Sequence, residues 1–254
     1  MNQEHGSISG DPAQFRTTRW SVILTAAESE MPGSQAALTE LCRHYWYPLY
    51  AFARRRGHAP HDAQDLTQGF FLHLLEHRAL KRADPLKGKF RSFLLASFRN
   101  FLADEADRAR SLKRGGNLEF VVLDAEDAEN RYRLEPADHL TAEKIFDARW
   151  AMTLLTRAVE RLREQCAACG ETSRFEVLST FVGVGAGKGP PSHEEVAKAL
   201  GVSVGAAKTS IHRFRKQYAT LLRQEIARTV SDPSEIDEEI RALCDALVVA
   251  EGRL

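Results

Sequence analysis

Six side chains within residues 208–216 can do one kind of chemistry together. Lys208, Arg213, Arg215 and Lys216 carry positive charge on long stems, and Thr209 and His212 place shorter hydrogen-bonding groups among them. Long basic side chains reach phosphates, while Arg, Lys or Thr in a groove reach base edges. The set therefore suits a duplex nucleic acid. A second basic block, residues 78–116, holds eleven Lys or Arg against four acids. Within it Arg91 and Arg99 offer phosphate contacts. Asn100 beside them can both donate to and accept from a base edge. Four phenylalanines, at 90, 93, 98 and 101, are spread through the same block and read mainly as core. One left exposed would stack on an unpaired base. A third set is acidic: Asp62, Asp65 and Gln68 with Phe71 form a face suited to a partner that is itself a basic helical surface.

Other chemistries fail on spacing. Cys166 and Cys169 have redox or half-zinc spacing, but zinc needs two more ligands, and only His193 is near. They are expected to be two small helix-end residues; a redox enzyme built on that pair is one rival. "GVGAGKG" is one residue short of a phosphate loop, and Gly189 stands where Ser or Thr should hold magnesium. "HEEVA" has Ala197 in place of the second histidine of a zinc-protease helix. No catalytic residue, metal or cofactor is expected, and the chain does not read as an enzyme.

These side chains need helices to position them. Apolar residues recur mostly at three and four, and the best short β-like run is "LEFVVL". Helices are expected near Thr18, over 34–56 with Pro48 kinking or dividing it, from an N-cap at Asp62 onward, and over 90–112. Farther on, Ser192 and Glu195 fit a capping box ahead of a helix over 193–200 with Val196, Ala197 and Leu200 inward. Gly201 supplies the turn and Ser203 caps the next helix. Val204, Ala207, Ile211, Phe214 and Tyr218 are expected on its packed face, and the six basic and polar residues on or beside the other. One side then packs and the other enters a major groove.

The formal net charge of zero hides an alternation along the 254 residues. Residues 117–147 carry nine acids and three bases, residues 203–228 six bases and one acid, and residues 231–254 seven acids and two bases. Two basic helical modules are thus separated by an acidic linker and closed by an acidic helical tail. The tail could mask the second basic face or cap that domain. The four cysteines are too few for a disulfide scaffold, "GFFLHLL" and "FRSFLLASF" are too short to cross a bilayer, and the first fifteen residues do not read as a leader. The expected location is the cytoplasm.

Three segments resemble one family. "DAQDLTQGFFLHLLE" is similar to the region-two helix of RNA polymerase sigma factors. "FRSFLLASFRNFLADEADRAR" resembles the promoter-melting and minus-ten-reading helices of the extracytoplasmic-function group in the sigma-70 family. "HEEVAKALGVSVGAAKTSIHRFRKQY" resembles that group's region four, which reads the minus-thirty-five element. Their order along the chain matches as well. The resemblance implies core RNA polymerase and promoter DNA as partners, with an anti-sigma factor as a further one that no residue marks. It makes the partner of Asp62, Asp65, Gln68 and Phe71 the coiled coil of the largest polymerase subunit. It puts Asn100 at the pocket for a flipped promoter base and "DPLKGK" at the base-capturing loop. Two features depart from the family: Gly69 stands where an acid is usual, and Ala206-Ala207 replace a common Thr-Val, leaving fewer hydrogen-bonding groups at the helix tip.

The expectation is an all-α protein of two small helical domains, the C-terminal one a helix-turn-helix, joined by an acidic linker. Residues 1–15 are a tail, 16–116 region two, 117–147 the linker, 148–230 region four and 231–254 the acidic tail. The function implied is a sigma factor; a stand-alone helix-turn-helix regulator is the main alternative.

Overall fold

The computed structural model of the chain describes residues 34–76, 89–111, 125–133, 140–183, 189–230 and 232–250. Every element among them is helical. The tail at 1–15, the helix near Thr18, the run "LEFVVL", most of "GVGAGKG" and all of "DPLKGK" except Lys89 lie outside the described residues. The chain divides into two compact units, Met1–Glu135 with Arg228–Glu235, and Pro136–Ala227 with Ile236–Leu254.

The first unit contains α1 (Ser34–Arg55), α2 (Pro60–Glu76), α3 (Phe90–Ser111) and α4 (Ala125–Arg133). Tyr45, Trp46, Tyr47, Leu49, Tyr50, Ala51, Phe52 and Ala53 are all buried, so this part of α1 is covered all round. Pro48 sits inside that stretch, and α1 runs through it undivided. A helix-interior proline costs about 3 kcal/mol. Each large side chain buried beside it returns roughly 1.5–3 kcal/mol, so packing outweighs the lost hydrogen bond. Aromatic contacts fasten α3 to its neighbours: Tyr45 meets Phe90 at 5.2 Å between ring centroids, and Phe98 lies 6.0 Å from Phe52 and 4.9 Å from Phe70. Gly57, at φ 94°, turns the chain after α1. The next helix starts with Pro60 in its first position, where a missing N–H costs nothing. Asp62 is therefore not the N-cap expected from the sequence. It lies in the first turn of α2, where its charge still favours the helix dipole.

The second unit is built on α5 (Ala142–Ala168), whose N-cap Thr141 accepts from the Lys144 N–H. It continues through α6 (Thr172–Leu178), a 3-10 turn (Ser179–Val182), α7 (His193–Leu200), α8 (Val204–Ala227) and α9 (Ile236–Ala250). Ala158, Leu162 and Cys166 of α5 share a core with Phe175, Leu178, Val196, Ala207, Ile211, Phe214 and Leu221. Glu225 near the end of α8 is fully buried. Arg157 Nε approaches its carboxylate at 3.0 Å and Arg161 Nη1 at 2.8 Å. The last helix, α9, packs on α5 and α8, burying Ile236, Leu243 and Ala250.

The acidic stretch 117–147 contains structure that its composition concealed. Its α4 docks on α1, and the first turn of α5 lies within it too. Arg54 grips Glu129 with two bonds, Nε to Oε2 at 2.9 Å and Nη2 to Oε1 at 3.0 Å, while the Tyr50 hydroxyl donates to Oε2 at 2.6 Å. Cations also lie over rings: Arg131 sits 3.9 Å from the Tyr47 ring centroid and Arg54 4.8 Å from that of Tyr132. The Arg54 bond holds the Glu129 carboxyl below its ordinary 4.5, and burial followed by Glu129 itself pushes the Tyr50 hydroxyl up. Because the folded value is depressed, this stabilisation is present above about pH 4.5 and is lost as pH falls through the folded value. Glu129→Gln should lose roughly 1–3 kcal/mol at neutral pH. Denaturant titrations at several pH values should show that deficit shrinking in acid.

Candidate nucleic-acid interface

The two helices that carry the basic face are set by local chemistry. Ser192 and Glu195 close a reciprocal capping box: the Glu195 N–H donates to Ser192 Oγ at 3.2 Å, and the Ser192 N–H to Glu195 Oε2 at 2.7 Å. Gly201 ends α7 at φ 65°, ψ 34°, a left-handed conformation that glycine takes without cost. Ser203 Oγ then accepts from the Ala206 N–H at 3.3 Å at the start of α8. Val196 and Ala197 of α7 are buried with Ala207, Ile211 and Phe214 of α8, and Leu200 and Tyr218 flank them. Val204 differs from expectation. It sits in the leading turn, ahead of the packed residues, and is 37% exposed.

On the other side of α8, Lys208, Thr209, His212, Arg213, Arg215 and Lys216 are all exposed. They form one continuous polar and basic surface. Arg215 is partly engaged within the protein: its Nε donates to the Phe181 carbonyl at 3.3 Å, and its guanidinium lies 5.3 Å from the Phe181 ring centroid. The Thr209 hydroxyl donates back to the Gly205 carbonyl at 3.1 Å. With α9 docked, these six side chains remain exposed. Its Asp237 pairs instead with Arg223, farther along α8. In this arrangement α9 caps the second unit and leaves the basic face open.

In the first unit, α3 turns Phe90, Leu94, Phe98, Phe101 and Leu102 inward. Arg99 and Asn100 are exposed side by side, and Arg91 is half-buried. Of the four phenylalanines, Phe93 alone is left half-exposed, resting 6.1 Å from the Phe90 ring. The sequence alone does not say which of the four is left partly exposed; the other three are buried. On α2, Asp62 and Asp65 are exposed and Gln68 is half-buried. Asp65 pairs with His61 at 3.0 Å. Phe71 is only 3% exposed and packs 6.0 Å from Phe70, so it supports the acidic face from beneath rather than presenting itself.

Cys166 lies in the core of the second unit, where burial pushes its thiol up, and Cys169 is exposed at the end of α5. Among the described residues no cluster of His, Cys, Asp or Glu has the makings of a metal site, and no helix is long and apolar enough to cross a membrane.

The chain is similar to known proteins over part of its length. Residues 41–112 match the family model described as sigma-70 region 2. Over 200 residues the chain is 27% identical to the ECF RNA polymerase sigma factor SigE of Mycolicibacterium smegmatis, covering 78% of this chain and 67% of that protein. No solved structure gives a significant match. Together the two matches support a sigma factor of the sigma-70 family, in its extracytoplasmic-function group.

Gly69 lies on α2 beside the acidic face. A Cβ there would meet a Phe101 ring carbon at 3.4 Å, an ordinary contact. Nothing in the packing demands glycine, which costs a helix about 1 kcal/mol relative to alanine. Gly69→Ala should therefore stabilise the first unit by roughly 0.5–1 kcal/mol, read as a rise of a few degrees in its melting temperature.

Proposed function

We propose that this sigma-family chain binds core RNA polymerase through the exposed face of α2 and directs it to promoters through α3 and α8. Asp62, Asp65 and Gln68 meet a basic helical surface of the polymerase, with Phe71 holding their helix in place. Arg91, Arg99 and Asn100, with Phe93 as a platform, engage the downstream promoter element as it opens. Lys208, Thr209, His212, Arg213, Arg215 and Lys216 engage the upstream element as duplex. The catalysis belongs to the polymerase, and the chain supplies positioning and opening. An anti-sigma factor remains a partner implied by the family alone.

One observation carries the proposal: six basic or polar side chains lie exposed along α8, while Ala207, Ile211 and Phe214 of the same helix fill the core. A helix so divided can lie in a groove without giving up its packing. Its cations would release counterions from the phosphates they neutralise.

Reconstitution with core polymerase tests this directly. The chain should co-purify with the core enzyme and start transcription at a defined promoter. Failure to do both would sink the proposal, and tight operator binding without polymerase would favour a stand-alone regulator. Asp62→Ala with Asp65→Ala should weaken co-purification while leaving α8 intact. Lys208→Ala and Arg213→Ala should each lower duplex affinity, and each lost phosphate contact should reduce the slope of log affinity against log salt by about 1.

A further inference from the structure

We infer that the turn before α8 and the helix's leading residues read thymine methyl groups, through Val202, Val204 and Ala206, and that Gly205 lets the helix backbone come close to the base edges. The inference rests on the proposal that α8 enters duplex DNA and adds what it recognises there.

Two independent observations point to it. The first is the chemical character of the tip. Val202 and Val204 are 41% and 37% exposed on either side of Ser203, and Ala206 is exposed beyond them. The hydroxyls nearby each make one local bond, Ser203 Oγ accepting from the Ala206 N–H and Thr209 donating to the Gly205 carbonyl, and keep their remaining capacity for a base edge. Much of the surface offered at this end is nevertheless made of methyl groups, from Val202, Val204 and Ala206. A tip poor in hydrogen-bonding groups looks unspecific only if bases are read by hydrogen bonds alone. In the major groove thymine presents a C5-methyl group, and apolar contact with it distinguishes thymine from the other bases.

The second is Gly205 itself. It lies within α8, its φ is not in the left-handed region, and a Cβ added to it would meet nothing within 4 Å. Gly201, by contrast, is accounted for by its φ of 65°. Gly205 stands in the first turn of α8, and neither a left-handed turn nor internal packing calls for glycine there. The open space there suits close approach of something outside the protein to the backbone. Lys208, Arg213 and Lys216 on the same helix are exposed cations, which selects a polyanion over an apolar protein groove as that outside body.

The test uses holoenzyme reconstituted from the full chain and core polymerase. Bound duplexes are selected from a randomised library, and the recovered upstream element is remade with deoxyuridine in place of thymidine. Each methyl lost under α8 should weaken binding about fourfold, the worth of one buried methyl-sized group. In the variant combining Val202→Ala with Val204→Ala, two positions outside the buried core, that penalty should fall below about twofold. Gly205→Ala should raise the melting temperature, because helix propensity improves without a clash, yet weaken binding to the selected element about tenfold. Equal binding of the thymidine and deoxyuridine duplexes overturns the methyl reading, and a Gly205→Ala chain that binds like the parent overturns the close approach. Recovery of no duplex at all overturns the promoter-directing proposal and this inference with it. Loss of binding in Lys208→Ala without a deoxyuridine effect overturns the inference alone.

Discussion

A carboxylate buried away from water must be neutralised, and the second unit is arranged around the two arginines that do this for Glu225. Arg157 and Arg161 are one helical turn apart on α5, so both guanidinium groups converge on one point of α8. Arg161 also donates to Gln224 at 3.1 Å, which fixes the approach further. Removing one partner from such a buried set typically costs about 3–5 kcal/mol, because the remaining charge is stranded. The geometry tolerates little sliding, so it sets the register of α8 on α5. From that anchor to Lys208 the helix extends roughly 25 Å. The exposed basic face is thus held by a charge cluster far from it, with Phe214 and Ile211 filling the core between.

The first unit uses a related device for a different purpose. Its core is aromatic, with Phe52, Phe70, Phe98 and Phe101 in a chain of ring contacts that joins α1, α2 and α3. Those contacts help determine which faces of α2 and α3 look outward. Glu129 adds a fourth helix by pairing with Arg54, which also donates to the His58 carbonyl at 2.6 Å. One arginine therefore joins α4 to the turn that leads into α2. The acidic surface of α2 is in this way tied to the stretch that sequence composition reads as linker.

Much of this was legible in the sequence because its causes are local. The limits of α1 and α3, the capping box at Ser192 and Glu195, and the left-handed turn at Gly201 each follow from residues within a few positions of one another. The exposed basic row of α8 follows from helical periodicity. What escaped depends on residues far apart. Nothing near Glu129 announces that Arg54 will grip it, and Glu225 reads as a surface acid until Arg157 and Arg161 are brought beside it. Pro48 signals a kink or a division, and the helix is not divided there. Phe71 looked available because it adjoins acids; the helix turns it into the core. Val204 continued an apolar stripe on paper, yet the stripe begins only at Ala207.

The packing of α9 against α5 has a consequence for how the chain is made. A ribosome delivers α5 first, then α8, and α9 after both. About a hundred residues separate the first contact surface from the one that covers it. Until Ile236, Leu243 and Ala250 emerge, α5 must wait with an apolar flank open to solvent or to chaperones. The second unit therefore reaches its packed form only after its last contact helix, α9, has been made.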